Sequence, residues 1–282
     1  MDLGVTIFLT DRSIGPVELA REVEDRGFTS VWLPEHTHIP TSRRTPAPAG
    51  EPLAEEYLRC LDPFAAMAMM TAATTRLRVG TGIALMAERD PIVTAKEAAT
   101  IDHCSGGRLR LGVGYGWNIE ELEDHGGTKA TRRAVVRERV LAMQELWGEE
   151  VASFSGEHVR LAESWAWPKP VQQVRGRSGI PVLVGGAPGP ILFEHIAEFG
   201  DGWIPIGGAG VAKAMGELQE AARRVDRDPA ELSVIPFGTL PDEGKLRHYE
   251  SLGITETVLR LPSAGRDDVL ATLDSYLPFL GG

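Results

Sequence analysis

Residues 76–118 read RLRVGTGIALMAERDPIVTAKEAATIDHCSGGRLRLGVGYGWN, and this stretch decides the fold. It opens on an apolar, β-branched run at residues 77–82 and crosses a glycine-bounded loop to Asp90 and Pro91. An aspartate at an N-cap accepts from the free amides of a first helical turn, and proline fits that turn because its missing N–H has no partner to lose. The helix so begun carries Val93, Ala95, Ala98, Ala99 and Ile101 and stops near Ser105, Gly106 and Gly107. A second strand follows at residues 109–113. A strand, a helix and a strand of these lengths form a right-handed βαβ unit with parallel strands. Both strands end in glycine: Gly80 and Gly82 in one, Gly112, Gly114 and Gly116 in the other. Such glycines make tight turns, or they let a flat or anionic ligand approach the backbone at the carboxyl ends of the strands.

The same alternation extends in both directions. Towards the N-terminus lie a strand at 3–9, a helix at 16–26 closed by Gly27, a strand at 30–33 and a helix opened by Asp62 and Pro63. Towards the C-terminus, strands are expected at 181–184, 202–206, 232–237 and 257–261. Helices are expected at about 131–147, from 190, and at 211–225, 242–252 and 267–280. Eight strands alternating with helices within 282 residues predict an α/β fold, a (β/α)8 TIM barrel forming one domain over residues 1–282. An open doubly wound sheet is the alternative. Two excursions interrupt the pattern, one after strand two at 41–61 and one after strand four at 153–179. The first begins with a Pro-rich polar loop at 41–52, a surface loop or lid that holds Arg43 and Arg44. The second opens, at residues 153–161, with a short hairpin or excursion around Gly156. The methionines of the 63–74 helix read as core.

The formal net charge of -11 argues against a nucleic-acid partner. Cys60 and Cys104 are the only cysteines, which excludes a disulfide framework or a cysteine-rich metal site and fits a reducing cytoplasm. Neither a leader nor a membrane-spanning run is expected.

Chemistry is expected at the carboxyl ends of the strands, where barrel enzymes keep it. There the chain places Glu35 and His36, in WLPEHTHIP, just past strand two. Histidine handles protons near neutrality, and Glu35 could orient it. His36 and His38 alone are too few to hold a metal. His103 and Cys104, at a helix end, read as packing residues. Asn118 follows a GxGxG turn, where its amide either binds a cofactor or caps the next helix. Gly185, Gly186, Ala187 and Pro188, in GGAPGP, lie between a strand and a helix N-terminus, an arrangement that cradles anions with backbone N–H groups. It is neither a Walker motif nor GxGxxG, and no lysine stands beside it, so its contacts would come from the backbone.

These motifs carry a resemblance over nearly the whole chain. VWLPEH at strand two, RLRVGTGI at strand three, GGRLRLGVGYGWNIEEL, PKPVQQ, PVLVGG and GDGWIP together resemble the bacterial luciferase-like flavin and deazaflavin oxidoreductases, most closely the deazaflavin-using branch. The resemblance implies a barrel with the cofactor ring in its mouth and a non-proline cis peptide at or near Gly82-Ile83 backing that ring. It implies coenzyme F420, a deazaflavin, as cofactor, with FMN as the alternative, a small-molecule substrate and a homodimer. It matches His36 and Glu35 to the catalytic positions, Gly82, Ile83, Gly114 and Asn118 to ring contacts, and Gly185 to Pro188 to the phosphate loop. The activity implied is hydride transfer. An FMN-dependent monooxygenase served by a separate reductase, and a non-catalytic cofactor-binding barrel, are the alternatives.

Overall fold

Strands β1 (Asp2–Thr6), β2 (Ser30–Leu33), β3 (Arg78–Thr81) and β4 (Leu109–Gly114) lie side by side and parallel, in the order the βαβ reading requires. The structure is a computed structural model and describes every residue except Ala49, within the first excursion, Ala209 and Gly282. The sheet continues through β5 (Val182–Gly185), β6 (Gly202–Ile204), β7 in two pieces (Ser233–Val234 and Phe237–Thr239) and β8 (Glu256–Arg260). The first piece of β7 pairs with β6, the second with β8, and Ile206 bridges Phe237. Both ends of the sheet therefore belong to one strand, and the sheet closes on itself. A short piece, Ala84–Leu85, adds to β4 just after β3. The expected (β/α)8 barrel is the fold found, and the open sheet is excluded.

Nine α-helices are present among the described residues: α1 (Pro16–Asp25), α2 (Pro63–Ala73), α3 (Pro91–Ser105), α4 (Ile119–Asp124), α5 (Arg132–Gly148), α6 (Pro190–Glu198), α7 (Val211–Arg223), α8 (Glu243–Ser251) and α9 (Arg266–Tyr276). Asp90 accepts from the amides of Ile92 and Val93, and Asp62 from that of Ala65, so both expected caps form. Strand one is shorter than its apolar run, because the chain beyond Thr6 leaves the ladder. Met67 and Met70 are fully buried, whereas Met69 is 51% exposed. His103 and Cys104 are exposed, which corrects the packing role expected for them. The second excursion contains the hairpin Ala152–Ser155 with Arg160–Ser164.

Apolar side chains fill two layers. The larger lies between barrel and helices. The smaller fills the barrel itself, with Trp32, Leu183, Ile204, Ile235, Phe237 and Val258 packed against Ile83. The amino end of the barrel holds charge instead. Glu256 is 3% exposed and pairs with Arg110 at 2.5 Å and Arg78 at 3.4 Å. No helix among the described residues is long and apolar enough to cross a membrane.

Candidate active site

His36 lies at the carboxyl end of the barrel and is 9% exposed. Its partner is not its neighbour in sequence. Nδ1 lies 2.7 Å from Oε2 of Glu121, on α4, and the other Glu121 oxygen accepts from the Thr37 amide at 2.8 Å. The indole N–H of Trp117 donates to Nε2 of His36 at 3.2 Å. An indole nitrogen can only donate. Nε2 is therefore the acceptor and Nδ1 carries the proton given to Glu121, so the partners select one neutral tautomer. Tyr57, from the first excursion, completes an aromatic cluster, its ring 5.3 Å from that of His36 and edge-on to Trp117 at 6.0 Å.

Glu35 is turned elsewhere. Its carboxylate accepts from the Leu85 amide at 2.7 Å and from Arg89 Nε at 2.6 Å. Burial pushes its pKa up against the opposing pull of Arg89 and the Leu85 amide. Arg89 also reaches Asp62 at 2.8 Å and Glu97 at 2.9 Å. Glu35 thus braces the chain that follows the cis peptide rather than His36. That bond, between Gly82 and Ile83, is cis and non-prolyl, at the place the resemblance implied.

The strand-end glycines make room for this bulge. A Cβ on Gly114 would stand 2.4 Å from Ile83 Cδ1, one on Gly185 2.6 Å from Ile83 Cγ2, and one on Gly82 2.2 Å from the Phe237 ring. The space beside these glycines is filled by Ile83 and Phe237, so a ligand at the mouth would meet the bulge before the glycine backbone. This corrects the expectation from sequence that a ligand approaches the backbone of Gly82, Gly114 and Gly185 directly, because the side chains of Ile83 and Phe237 occupy that space.

The GGAPGP loop follows β5. The Gly186 amide donates to the Ile204 carbonyl at 3.3 Å and its carbonyl accepts from Trp203 Nε1 at 3.0 Å, which fixes the loop to β6. The amides of Ala187, Gly189, Ile191 and Leu192 have no partner among the described residues. Pro188 offers no N–H. From α6, His195 Nδ1 lies 2.9 Å from the Tyr115 hydroxyl, and burial holds its pKa down.

Asn118 precedes α4 but makes no side-chain cap, which settles one of its two readings. It is 2% exposed, and neither of its amide atoms has a partner. The first excursion is pinned over this region by Glu120, which accepts from the Thr45 amide at 2.9 Å, the Thr45 hydroxyl and the Arg44 amide. Burial opposes its ionisation, but these donors outweigh burial and hold the pKa at about 2. Arg44 is taken up by Glu123. Arg43 pairs with Glu51 at 2.9 Å, its guanidinium 5.9 Å from the Trp117 ring.

Two residues of this region were not singled out from sequence. Glu121 sits in a segment read only as acidic, and it lies in the first turn of α4, just after Asn118. Glu88 carried no signal. It is 9% exposed with both carboxyl oxygens unpartnered. Among the described residues no cluster of three or more His, Cys, Asp or Glu side chains is arranged to hold a metal.

Known proteins share this arrangement of chain. An uncharacterized protein of Mycobacterium tuberculosis is 39% identical over 278 residues, covering 97% of this chain and 96% of that one. The F420-dependent glucose-6-phosphate dehydrogenase of Amycolatopsis mediterranei is 28% identical over 219 residues, 75% of this chain and 60% of its own. Among solved structures, a monooxygenase from Streptomyces bottropensis superposes with a TM-score of 0.78 at 19% identity, covering 99% of this chain and 98% of its own. An F420-dependent secondary alcohol dehydrogenase in complex with an F420-acetone adduct superposes at 0.76 and 18%, with the same coverage. The sequence model described as luciferase-like monooxygenase matches residues 15–240, from α1 to the end of β7 and so through every residue of the mouth described above. The chain belongs to the luciferase-like monooxygenase family.

Proposed function

We propose that this protein is a deazaflavin-dependent oxidoreductase that exchanges hydride between coenzyme F420 and a small organic substrate at the barrel mouth. The observation that carries the reading is Asn118: a fully buried amide without a protein partner, at the carboxyl end of a barrel strand. Buried polar atoms are almost always hydrogen-bonded, so an orphan at such a place points to a ligand. The residues fit a ring with polar edges and a phosphate. Asn118 would hold the ring edge, Ile83 and the bulge would back the ring, and the free amides around Ala187 and Gly189 would hold the anion. The bound cofactor supplies a ring carbon that accepts or gives hydride.

The chain's own residues handle the proton. His36 Nε2 takes the proton of a substrate hydroxyl in oxidation, after the hydroxyl displaces the Trp117 indole N–H from that nitrogen. In reduction it returns the proton. Glu121 holds the ring of His36 in the required tautomer and faces the charge the ring acquires. Glu35 acts at one remove, as a positioning residue for the bulge. The pinned excursion, with Tyr57, keeps water from the mouth.

FMN is the alternative cofactor, with oxygen insertion as its activity; the Streptomyces monooxygenase and the family description favour that reading. Titrating the protein with oxidised F420 and with oxidised FMN separates them. Saturable F420 binding is expected. Tight FMN binding without F420 binding would reverse the ranking, and binding of neither would leave no cofactor enzyme. Two unpaired cysteines, Cys60 and Cys104, suit the cytoplasm. A homodimer is proposed across α2 and the start of α3, where Ala65, Ala68, Met69 and Ala72 are exposed beside Ile92 and Val93. A stable monomer in light scattering at micromolar concentration would exclude it.

A further inference from the structure

Glu88 lies on the loop between the bulge and α3. Its Oε1 is 3.0 Å from the place a Cβ would take on Gly116, so it stands against the turn that carries Trp117 and Asn118. Charged groups face it from three elements: Glu121 on α4, Glu35 after β2 and Arg139 on α5. Arg139 is engaged with the Met86 carbonyl at 2.9 Å, and Arg89, the next residue in the chain, is turned to Glu35, Asp62 and Glu97. None of them hydrogen-bonds Glu88. Burial first, and then the charges of Glu121 and Glu35, push its pKa up to about 9 against the pull of Arg139. At neutral pH it is a carboxylic acid, with one O–H to donate.

We propose that Glu88 is a ligand-binding residue of the mouth, a neutral acid that donates a hydrogen bond to a carbonyl oxygen of the planar ring whose edge Asn118 reads. The inference rests on the cofactor reading above and deepens it. An orphan amide and an orphan acid beside one turn complement an edge that alternates carbonyl and N–H groups. The amide supplies a donor and an acceptor, and the acid a second donor. The pyrimidinedione edge has this pattern and is shared by deazaflavins and FMN. Ionised Glu88 has no donor and repels a carbonyl oxygen. Ring binding is therefore linked to retention of one proton on Glu88.

The test is equilibrium dialysis of oxidised F420 and of oxidised FMN against the wild type, E88Q and E88L from pH 6.5 to 10. Gln keeps an N–H donor and cannot ionise, so the ratio of wild-type to E88Q Kd at each pH cancels ionisation of the cofactor itself. That ratio should stay level to about pH 8 and then climb towards about tenfold per pH unit above the Glu88 pKa. E88L should bind at least about tenfold more weakly at pH 7, the worth of one hydrogen bond left unmade in a buried site. A level ratio across the range, or E88L within about twofold of the wild type, overturns the proposal. If E88L fails to fold, the E88Q ratio still decides. Wild type that binds neither ring removes the cofactor reading together with this one. Wild type that binds a ring with a level ratio removes only the role of Glu88.

Discussion

His36 has a single acceptor nitrogen, and Trp117 already donates to it. A substrate hydroxyl must compete with that indole, so the imidazole is held ready and shielded at once. His36→Ala should lower turnover by about 10²–10⁴-fold, the range of a lost general acid or base, while cofactor affinity stays within a few-fold. Single-turnover hydride transfer at equal cofactor occupancy checks this, and equal rates in both proteins would leave His36 a ring-contact residue. Glu121→Gln should also slow turnover without weakening cofactor binding, because it removes the charge facing the imidazole and keeps an acceptor. Glu88 makes a separate prediction about stability. Its folded pKa of about 9 lies above the ordinary 4.5, so the folded chain keeps a proton that the unfolded chain loses. Its contribution therefore becomes unfavourable as pH rises from 4.5 to about 9 and is constant beyond. At pH 7 the penalty is at most roughly 3.5 kcal/mol, at about 1.4 kcal/mol per pH unit. Glu88→Gln should stabilise the protein at pH 7, more at pH 8.5 and little at pH 5, as read from urea midpoints. An equal gain at all three would show that Glu88 is ionised when folded.

At the scale of elements, glycines with the same look in sequence do different work. Gly112 lies in β4 with its would-be Cβ 2.1 Å from the Thr81 backbone oxygen, so any side chain must separate β3 from β4. Gly186 has a φ of +151° and open space, the nearest atom to its Cβ position being a Leu192 methyl at 3.6 Å. Gly112→Ala should destabilise the whole barrel by about 1–3 kcal/mol, as overpacking does. Gly186→Val should leave the melting temperature within a few degrees of the parent and weaken cofactor binding, because it disturbs a loop conformation and no core contact. The opposite pattern in the pair would mean that the β5 loop is structural. In the first excursion the backbone is tied to α4 through Glu120, which binds two loop amides and a hydroxyl. With its pKa near 2, that tether stands above pH 4.5 and weakens as pH falls towards 2. Glu120→Ala should speed proteolysis within residues 41–52 with little change elsewhere, and unchanged cleavage would show that other contacts hold the loop.

For the whole molecule, the barrel separates its two ends by chemistry. The carboxyl end holds His36, Asn118, the bulge and the anion loop. The amino end is closed by Glu256 between Arg78 and Arg110. Those arginine side chains are 29% and 26% exposed, so the cluster lies between a surface pair and a fully buried one. Glu256→Ala should cost more than the roughly 1 kcal/mol of a surface pair and less than the 3–5 kcal/mol of a fully buried one. Cofactor binding at the other end should be unchanged, and a parallel loss of affinity would show that the two ends are coupled through the barrel.

The closed barrel was legible in residues 76–118 and in the repeats around them, because helix caps and strand periodicity are local properties of a chain. Asp90, Asp62 and Gly27 mark element ends through bonds made within a few residues. The place of His36 was legible for the same reason: the end of a strand is the end of an apolar run. What surrounds His36 was not. Glu121 is 85 residues away and meets it only because α4 follows β4, two strands round the barrel. Glu35 stands next to His36, yet the chain just past the end of β2 sends the two side chains to different partners and delivers Glu35 to Arg89. The unmatched amide of Asn118 and the neutral acid of Glu88 are properties of burial. Burial is a sum over neighbours brought in from β2, β3, α4 and α5, and only the closed tertiary structure performs that sum.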